Sequence, residues 1–346
     1  MMRPNRSVLS MANNIFKNIK QEKSFDLYQR GFLNSRNFSV HNVNDVKEIE
    51  IPLPYGKVAA KAWGDERAFP VLAFHGWLDN CGTFDRLIPL LSNQFYFVAI
   101  DAPGHGRSSH LPAGALYSDI SMVIDFKKVV EYLGWEKFHI VGHSLGGIFA
   151  LLFSAIFPDL VKKVALLDVA KPMSSPLDVV LDIKVNAINR FMKLEKKVLT
   201  AVPPVYTPES AVTRLIKGTH NEISEEGARI LLNRGSKPSD CGKGVVFTRD
   251  LRFKPLELIS MRSHTTYEQF MSYLRCELLI ILANQTSAYY QPEEPEIMQR
   301  FLDFYAKNVP GFTLEHVEGN HFVHLNNPER VAPIINNFLT KESCSK

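Results

Sequence analysis

The sequence predicts an α/β protein with a mostly parallel central sheet flanked by helices. Two observations support this fold class, and a third indicates an insertion into it. From about residue 46, short apolar runs alternate with patterns of helical spacing. Such alternation is typical of a parallel sheet whose two faces are covered by helices. The 346 residues are 45% hydrophobic, which is enough for a sizeable core. One long stretch, 171–270, interrupts the alternation and is predicted to be a helical insertion.

Local signals predict the individual strands and helices. Pro54-Tyr55-Gly56 separates two alternating runs, which indicates a hairpin. A helix is expected to begin at Ser118 and to end at Gly134. The last helix has Asn327 as its cap, and Pro333 inside it is expected to kink it. The predicted strands are Glu48–Leu53, Val58–Trp63, Val71–Phe74, Phe95–Ile100, Phe138–Val141, Val164–Leu167, Leu278–Leu282 and Phe312–Val317.

The predicted organisation has four parts. A basic extension covers residues 1–45, and the α/β core is formed by 46–170 together with 271–346. Residues 171–270 are predicted to form a helical cap. This segment contains seven prolines and two helical patterns, one around Val180–Leu199 and the other around Ala228–Asn233.

The charge distribution argues against a nucleic-acid-binding protein. The formal net charge is +4. Residues 1–40 hold seven basic and two acidic residues, and 171–270 holds 16 basic and 11 acidic residues, so the remainder has a net negative charge. The core therefore lacks the basic surface that nucleic acid requires. The four cysteines show no metal-binding spacing, and no apolar run is long enough for a transmembrane segment.

The first residues resemble a mitochondrial targeting sequence. No acidic residue precedes Glu22, and Ile15, Phe16 and Ile19 follow helical spacing. Arg36-Asn37-Phe38-Ser39 resembles a processing site that is cut after Phe38. Mitochondrial import is the localisation we expect from this composition. A disordered basic tail on a cytoplasmic or peroxisomal protein is the alternative.

Gly142-His143-Ser144-Leu145-Gly146 follows the G-x-S-x-G pattern of a nucleophile elbow. The pattern alone is weak, but here it directly follows a predicted strand and directly precedes a helix-forming stretch. Glycines are needed where the chain turns sharply and packs closely. Ser144 is therefore the candidate nucleophile, and an ordinary glycine-rich turn is the alternative.

A serine hydroxyl needs a base, and the base in this arrangement comes late in the chain after a strand. His321 fits this position, because it follows a predicted strand through the flexible Gly319-Asn320 turn. His324 is the competitor, and we expect it to be a packed structural histidine. His316 lies within the predicted strand and is also expected to be structural.

The base needs a carboxylate, and two positions are candidates. The loop after the strand Leu278–Leu282 offers no carboxylate before Glu293. Asp168 lies at the end of another strand, on the sheet edge where ligands bind in open α/β sheets. We assign the acid to Asp168, with a loop-capping aspartate as the alternative. The backbone amides of Trp77 and Leu145 are the expected oxyanion donors.

Together these residues resemble the α/β-hydrolase fold superfamily over about residues 46–340. Within it the chain is similar to the serine hydrolase-like family. The resemblance supports Asp168, since its surroundings look like the segment that carries the acid in some haloalkane dehalogenases. Dehalogenases and epoxide hydrolases use aspartate as nucleophile, so Ser144 argues against both. The segments with the closest similarity are HGWLDNCGTFD (75–85), DAPGHGRSS (101–109), GHSLGG (142–147), LLDVAKP (166–172) and TRDLRFK (248–254).

The sequence therefore predicts a serine hydrolase that forms an acyl-enzyme, most simply a carboxylesterase or lipase-like enzyme. The expected partner is a small-molecule acyl substrate, and neither a metal nor an organic cofactor is implied. A thioesterase or a C–C bond hydrolase could use the same triad. A binding protein that retained the fold without catalysis is the alternative from another class.

Overall fold

The computed structural model describes residues 39–41, 46–287 and 295–342. The predicted targeting sequence and its processing site before Ser39 therefore lie outside the described residues. Glu293, the alternative acid, also lies outside them.

Eight strands form one sheet in the order β1-β2-β4-β3-β5-β6-β7-β8. β2 runs antiparallel to both of its neighbours, and the other pairs are parallel. The predicted hairpin and the mostly parallel sheet are therefore confirmed. The strands are β1 (Val46–Leu53), β2 (Gly56–Trp63), β3 (Phe69–Phe74), β4 (Phe95–Ile100), β5 (Phe138–His143), β6 (Val161–Leu167), β7 (Glu277–Ala283) and β8 (Phe312–Val317).

Successive residues of a strand point to opposite sides of the sheet, so these apolar strands give it two apolar faces. Helices cover both faces. Leu72 of β3 belongs to one hydrophobic core, and its neighbours Val71 and Ala73 belong to the other. The helices are α1 (Asp119–Leu133), α2 (Leu145–Ile156), α3 (Leu177–Thr200), α4 (Pro208–Gly218), α5 (Glu225–Gly235), α6 (Leu256–Ser260), α7 (His264–Met271), α8 (Pro295–Asn308), α9 (Val323–Asn326) and α10 (Ala332–Thr340).

The end signals of α1 act as the sequence predicts. The Ser118 side chain accepts a hydrogen bond from the Ser121 amide, and Ser121 bonds back to the Ser118 amide. Gly134 ends the helix in the left-handed region, with φ of 69°. The two bonds between Ser118 and Ser121 satisfy amides that a helix end otherwise leaves unpaired.

The predicted kink at Pro333 is wrong. Pro328–Arg330 forms a separate 3-10 turn, and α10 begins only at Ala332. Pro333 thus lies in the first turn of α10, where the amide that proline lacks has no helical partner to lose. Asn327 begins the 3-10 turn rather than the final helix.

Five helices, α3 to α7, lie between β6 and β7. The helical patterns predicted around residues 180–199 and 228–233 are confirmed as parts of α3 and α5. The sequence analysis missed α4, which begins with the Thr207 cap and Pro208. Within the described residues, no helix combines the length and the apolar character that crossing a membrane would require.

Candidate active site

Ser144 lies in a sharp turn between the fully buried strand β5 and helix α2. Its backbone has φ of 51° and ψ of −122°, a conformation that costs energy for a residue with a side chain. The Ser144 amide donates to the Leu167 carbonyl of β6, which fixes the turn to the sheet. The strand, turn and helix predicted around the G-x-S-x-G pattern are therefore present.

The two glycines of the pattern are required by close backbone packing. A Cβ atom added to Gly142 would lie 2.6 Å from the Gly147 Cα atom. One added to Gly146 would lie 2.2 Å from the Phe74 carbonyl oxygen. Both contacts involve backbone, which cannot move aside as a flexible side chain could. Any larger residue at these positions would force the turn open.

The structure brings Asp168 and His321 together. His321 Nδ1 lies 2.7 Å from Asp168 Oδ2, and both side chains are buried. Asp168 follows β6 directly, and His321 follows β8 through Gly319, whose φ is 147°. A carboxylate in this position holds the proton on Nδ1, which orients the ring and leaves Nε2 as the nitrogen that can accept a proton.

The last residue of β7 and the loop after it hold Asp168 through donors that the sequence analysis did not anticipate. Asp168 Oδ1 accepts a hydrogen bond from the Ala283 amide at 2.8 Å, and Oδ2 accepts one from Thr286 Oγ1 at 2.7 Å. These two bonds orient the carboxylate toward His321. No pattern in the sequence of this loop indicates either donor.

Glu222 is a second residue that the sequence analysis missed. It lies between α4 and α5 and is buried. Its carboxylate accepts one hydrogen bond from the His321 amide and another from the Ser287 amide, each at 2.7 Å. Its carbonyl accepts a bond from the Asn320 side chain. Glu222 therefore joins the helical segment to the loops that carry His321 and Thr286.

His143 connects Ser144 to the histidine loop. Its ring centroid lies 4.7 Å from that of His321, and its Nε2 donates to the His321 carbonyl at 2.9 Å. Burial and the neighbouring rings of His324 and His321 hold the pKa of His143 well below its usual range. A neutral ring is therefore packed directly behind the nucleophile.

His324 is placed as a structural residue, as predicted. Its Nε2 bonds to Thr83 Oγ1 at 2.8 Å, and the side chain is fully buried. Burial lowers its pKa to about 3, so it remains neutral at physiological pH. His316 is exposed on β8. The contact with Asp168 therefore distinguishes His321 from both competitors.

The two predicted oxyanion donors flank the turn. A Cβ atom added to Gly76 would lie 3.4 Å from Ser144 Cβ, so the loop that leads into Trp77 packs against the serine. Leu145 is the first residue of α2. Neither the Trp77 nor the Leu145 amide has a hydrogen-bond acceptor among the residues that the structure describes. Unpaired amides of this kind can hold a developing negative charge.

A small, mostly apolar cleft lies next to Leu145. Ile148, Phe149, Met173 and Leu256 contribute to its walls. Glu257 of α6 also borders the cleft, and burial raises the pKa of its carboxyl to about 7. The cleft could receive an apolar part of a substrate. Across the described ranges, no cluster of three or more histidine, cysteine or acidic residues could hold a metal ion.

Comparisons with known proteins place these features in a family. Residues 70–199 match the model of the alpha/beta hydrolase fold. The chain is 36% identical to the serine hydrolase-like protein of Danio rerio, covering 90% of this chain and 94% of that protein. It is 35% identical to serine hydrolase-like protein 2 of Homo sapiens, covering 85% and 94%.

A solved structure shows the same architecture. The crystal structure of a hypothetical protein from Pseudomonas aeruginosa PAO1 is 30% identical and has a TM-score of 0.74. The match covers 85% of this chain and all of that one. With the sheet order and the turn at Ser144, these similarities confirm the resemblance stated from the sequence: the chain belongs to the serine hydrolase-like family, within the α/β-hydrolase fold.

Proposed function

We propose that the protein is a serine hydrolase that cleaves an ester-type bond through an acyl-enzyme, as a carboxylesterase or lipase-like enzyme does. The observation that carries the proposal is the buried Asp168–His321 pair, 2.7 Å apart, whose histidine ring packs on His143, the residue before Ser144 in its strained turn. Positive φ at a residue with a side chain costs conformational energy, and at Ser144 this conformation exposes the hydroxyl at the sheet edge, as a nucleophile requires.

In the proposed reaction, Ser144 Oγ attacks the acyl carbonyl carbon while His321 Nε2 accepts the serine proton. Asp168 stabilises the resulting imidazolium. The amides of Trp77 and Leu145 stabilise the negative carbonyl oxygen. His321 then returns its proton to the leaving alcohol, and the acyl-enzyme remains. A water molecule repeats the sequence and releases the acid.

The position of the helical segment supports a role as a cap over this site. Glu222 and the α6 residues Leu256 and Glu257 all come from it, and they reach the histidine loop and the cleft beside Leu145. We propose that residues 171–270 shape the substrate pocket. The apolar lining favours an acyl chain as the group it receives.

The test is hydrolysis of a panel of p-nitrophenyl esters and acyl thioesters by the wild-type chain and by Ser144→Ala. We expect ester hydrolysis by the wild type and a loss of about 10⁶-fold in kcat for the variant. Hydrolysis of thioesters alone would favour the thioesterase alternative. No turnover by a folded chain on any member of the panel would leave the non-catalytic binding protein as the better account.

A further inference from the structure

Helix α3 exposes a row of large apolar side chains along one face. Ile188, the least exposed of them, has 53% of its surface accessible, and Leu177, the most exposed, has 75%. Soluble proteins seldom expose contiguous apolar surface of this kind unless it binds something. The row consists of Leu177, Leu181, Val185, Ile188, Met192 and Leu199.

This row is separate from the face by which α3 packs on its own protein. Val180 and Ala187 are buried against the protein, at 6% and 0% accessible. At 3.6 residues per turn, the centre of the exposed row lies roughly 100° around the helix from these residues. The row is therefore a second apolar face and not the margin of the first.

The spacing along the row is that of a coiled-coil seam. From Leu181 onward the intervals to Val185, Ile188, Met192 and position 195 are four, three, four and three residues. Leu199 follows after four more. Alternating intervals of four and three residues keep side chains facing a partner helix. Position 195 holds Glu195, whose carboxylate accepts a hydrogen bond from the Gly114 amide at the margin of the row.

Charges along one flank of the row are arranged symmetrically. Asp182, Asn189 and Lys196 follow one another at intervals of seven residues, so they lie on the same flank. All three are exposed, and among the described residues their side chains have no bonding partner. This flank therefore carries an acid toward the amino end of α3, an amide at its centre and a base toward the carboxyl end.

Such a flank is complementary to itself when a second copy runs in the opposite direction. Asp182 then faces Lys196 of the second copy, Lys196 faces its Asp182, and the two Asn189 side chains meet at the centre. A parallel pair would instead set this flank against Lys184, Phe191 and Val198, which offer no matching charges. We propose that α3 binds the α3 of a second copy of this chain in an antiparallel, two-fold symmetric pair.

In this pair the apolar rows interdigitate about the same axis. Leu181 meets Leu199 of the second copy, and Ile188 meets Met192. Val185 faces Glu195, whose carboxylate is bonded to the Gly114 amide of its own chain. Leu116 and Ile120 are also exposed, at 43% and 42%, and the bond between Gly114 and Glu195 places the segment that leads into α1 beside the row. They widen the apolar surface at each end. A two-fold interface needs one surface that complements itself, and this surface does.

The mixed charge of the flank argues against a lipid membrane as the occupant. Helices that lie on anionic membranes carry lysine and arginine on the polar side of the apolar face. Here the amino-terminal half of α3 carries Asp178 and Asp182 beside the row. An anionic surface would repel that half, whereas a reversed copy neutralises it.

The first test is the mass of the full chain in solution, measured by sedimentation velocity over a range of concentrations. We expect a dimer that dissociates on dilution, and a monomer for Ile188→Asp, which alters the centre of the seam. Tyr273→Asp is the matched control, because Tyr273 is 60% exposed outside this surface, and this variant should remain dimeric. A wild-type chain that is monomeric at about 100 µM, or an Ile188→Asp variant that is still dimeric, would overturn the proposal.

The second test reverses the charges. Asp182→Lys and Lys196→Asp each place like charges together twice per dimer, so each should raise the dimer Kd by at least about tenfold at low salt. The double variant restores both pairs and should return the Kd to within about threefold of wild type. A double variant no better than the singles would contradict the pairing. Binding to phosphatidylserine vesicles that increases with Asp182→Lys and decreases with Lys196→Asp would also contradict the pairing.

All these positions lie on the surface, so neither test depends on the proposed hydrolase activity. Fluorophosphonate labelling of Ser144 in each variant provides the separate readout of that activity. Dimers without labelling would contradict the proposed function alone, and labelled monomers would contradict the pairing alone.

Discussion

The turn at Ser144 is held by contacts between backbone atoms, whereas the loop of His321 is held by side chains 99 and 153 positions away. In the turn, Gly142 and Gly146 admit backbone contacts that no other residue would allow. In the loop, Glu222 and Asp168 supply the acceptors that fix the amide and the ring of His321. Backbone contacts thus position the candidate nucleophile, and hydrogen bonds to distant side chains position the candidate base.

The comparison also explains how the two regions should respond to change. The turn fails if a single atom is added, because its contacts are between backbone atoms. The His321 loop should weaken in steps, because each of its bonds comes from a different segment.

Gly146→Ala should abolish ester hydrolysis and destabilise the fold. The added Cβ would overlap the Phe74 carbonyl oxygen at 2.2 Å, and we expect a loss of at least about 3 kcal/mol in the free energy of unfolding. Urea denaturation measures this loss. The control is Gly218→Ala at the end of α4, where an added Cβ meets nothing within 4 Å. Equal stability of the two variants would show that the turn tolerates a side chain.

Asp168→Asn should leave the fold intact and remove most of the activity. An amide in place of the carboxylate presents a donor to His321 and favours the wrong tautomer, so kcat should fall about 10⁴-fold. The measurement is ester hydrolysis beside circular dichroism. Asp240→Asn, at an exposed position, is the control. Unchanged hydrolysis by Asp168→Asn would contradict the assignment and return attention to Glu293.

Glu222→Ala should lower kcat less, by about 10 to 100-fold. The change leaves the amides of His321 and Ser287 without their acceptor, which loosens the loop but leaves the bond to Asp168. Hydrogen exchange at residues 319–323 should become faster, and Glu222→Gln, which keeps one acceptor, should be intermediate. Full activity together with unchanged exchange would mean that Glu222 does not position the base.

Thr286→Val should have the smallest effect, a fall of about threefold to tenfold in kcat. It removes only the hydroxyl that donates to Asp168 Oδ2, while the Ala283 amide still holds Oδ1. Thr213→Val, on the exposed surface of α4, is the control for the loss of a hydroxyl. An effect as large as that of Asp168→Asn would mean that the acid depends on Thr286 far more than the geometry implies.

The difference between the Ser144 turn and the His321 loop also determines which of their residues the sequence can predict. The strand, the glycines and the helix around Ser144 are contiguous, so their pattern predicts the turn. The ends of α1 are equally local, at Ser118 and Gly134. Glu222 could not be predicted, because it lies in the helical segment and meets His321 only after folding. Pro333 was misjudged because a helix pattern does not reveal that the chain begins a new helix at Ala332.

Covalent labelling determines whether Ser144 is an activated nucleophile. The wild-type chain should react with a fluorophosphonate probe, and peptide mapping by mass spectrometry should find the adduct on Ser144. Ser144→Ala should give no adduct, and Asp168→Asn should react far more slowly. A folded wild-type chain that stays unlabelled, or an adduct on a different residue, would contradict the account.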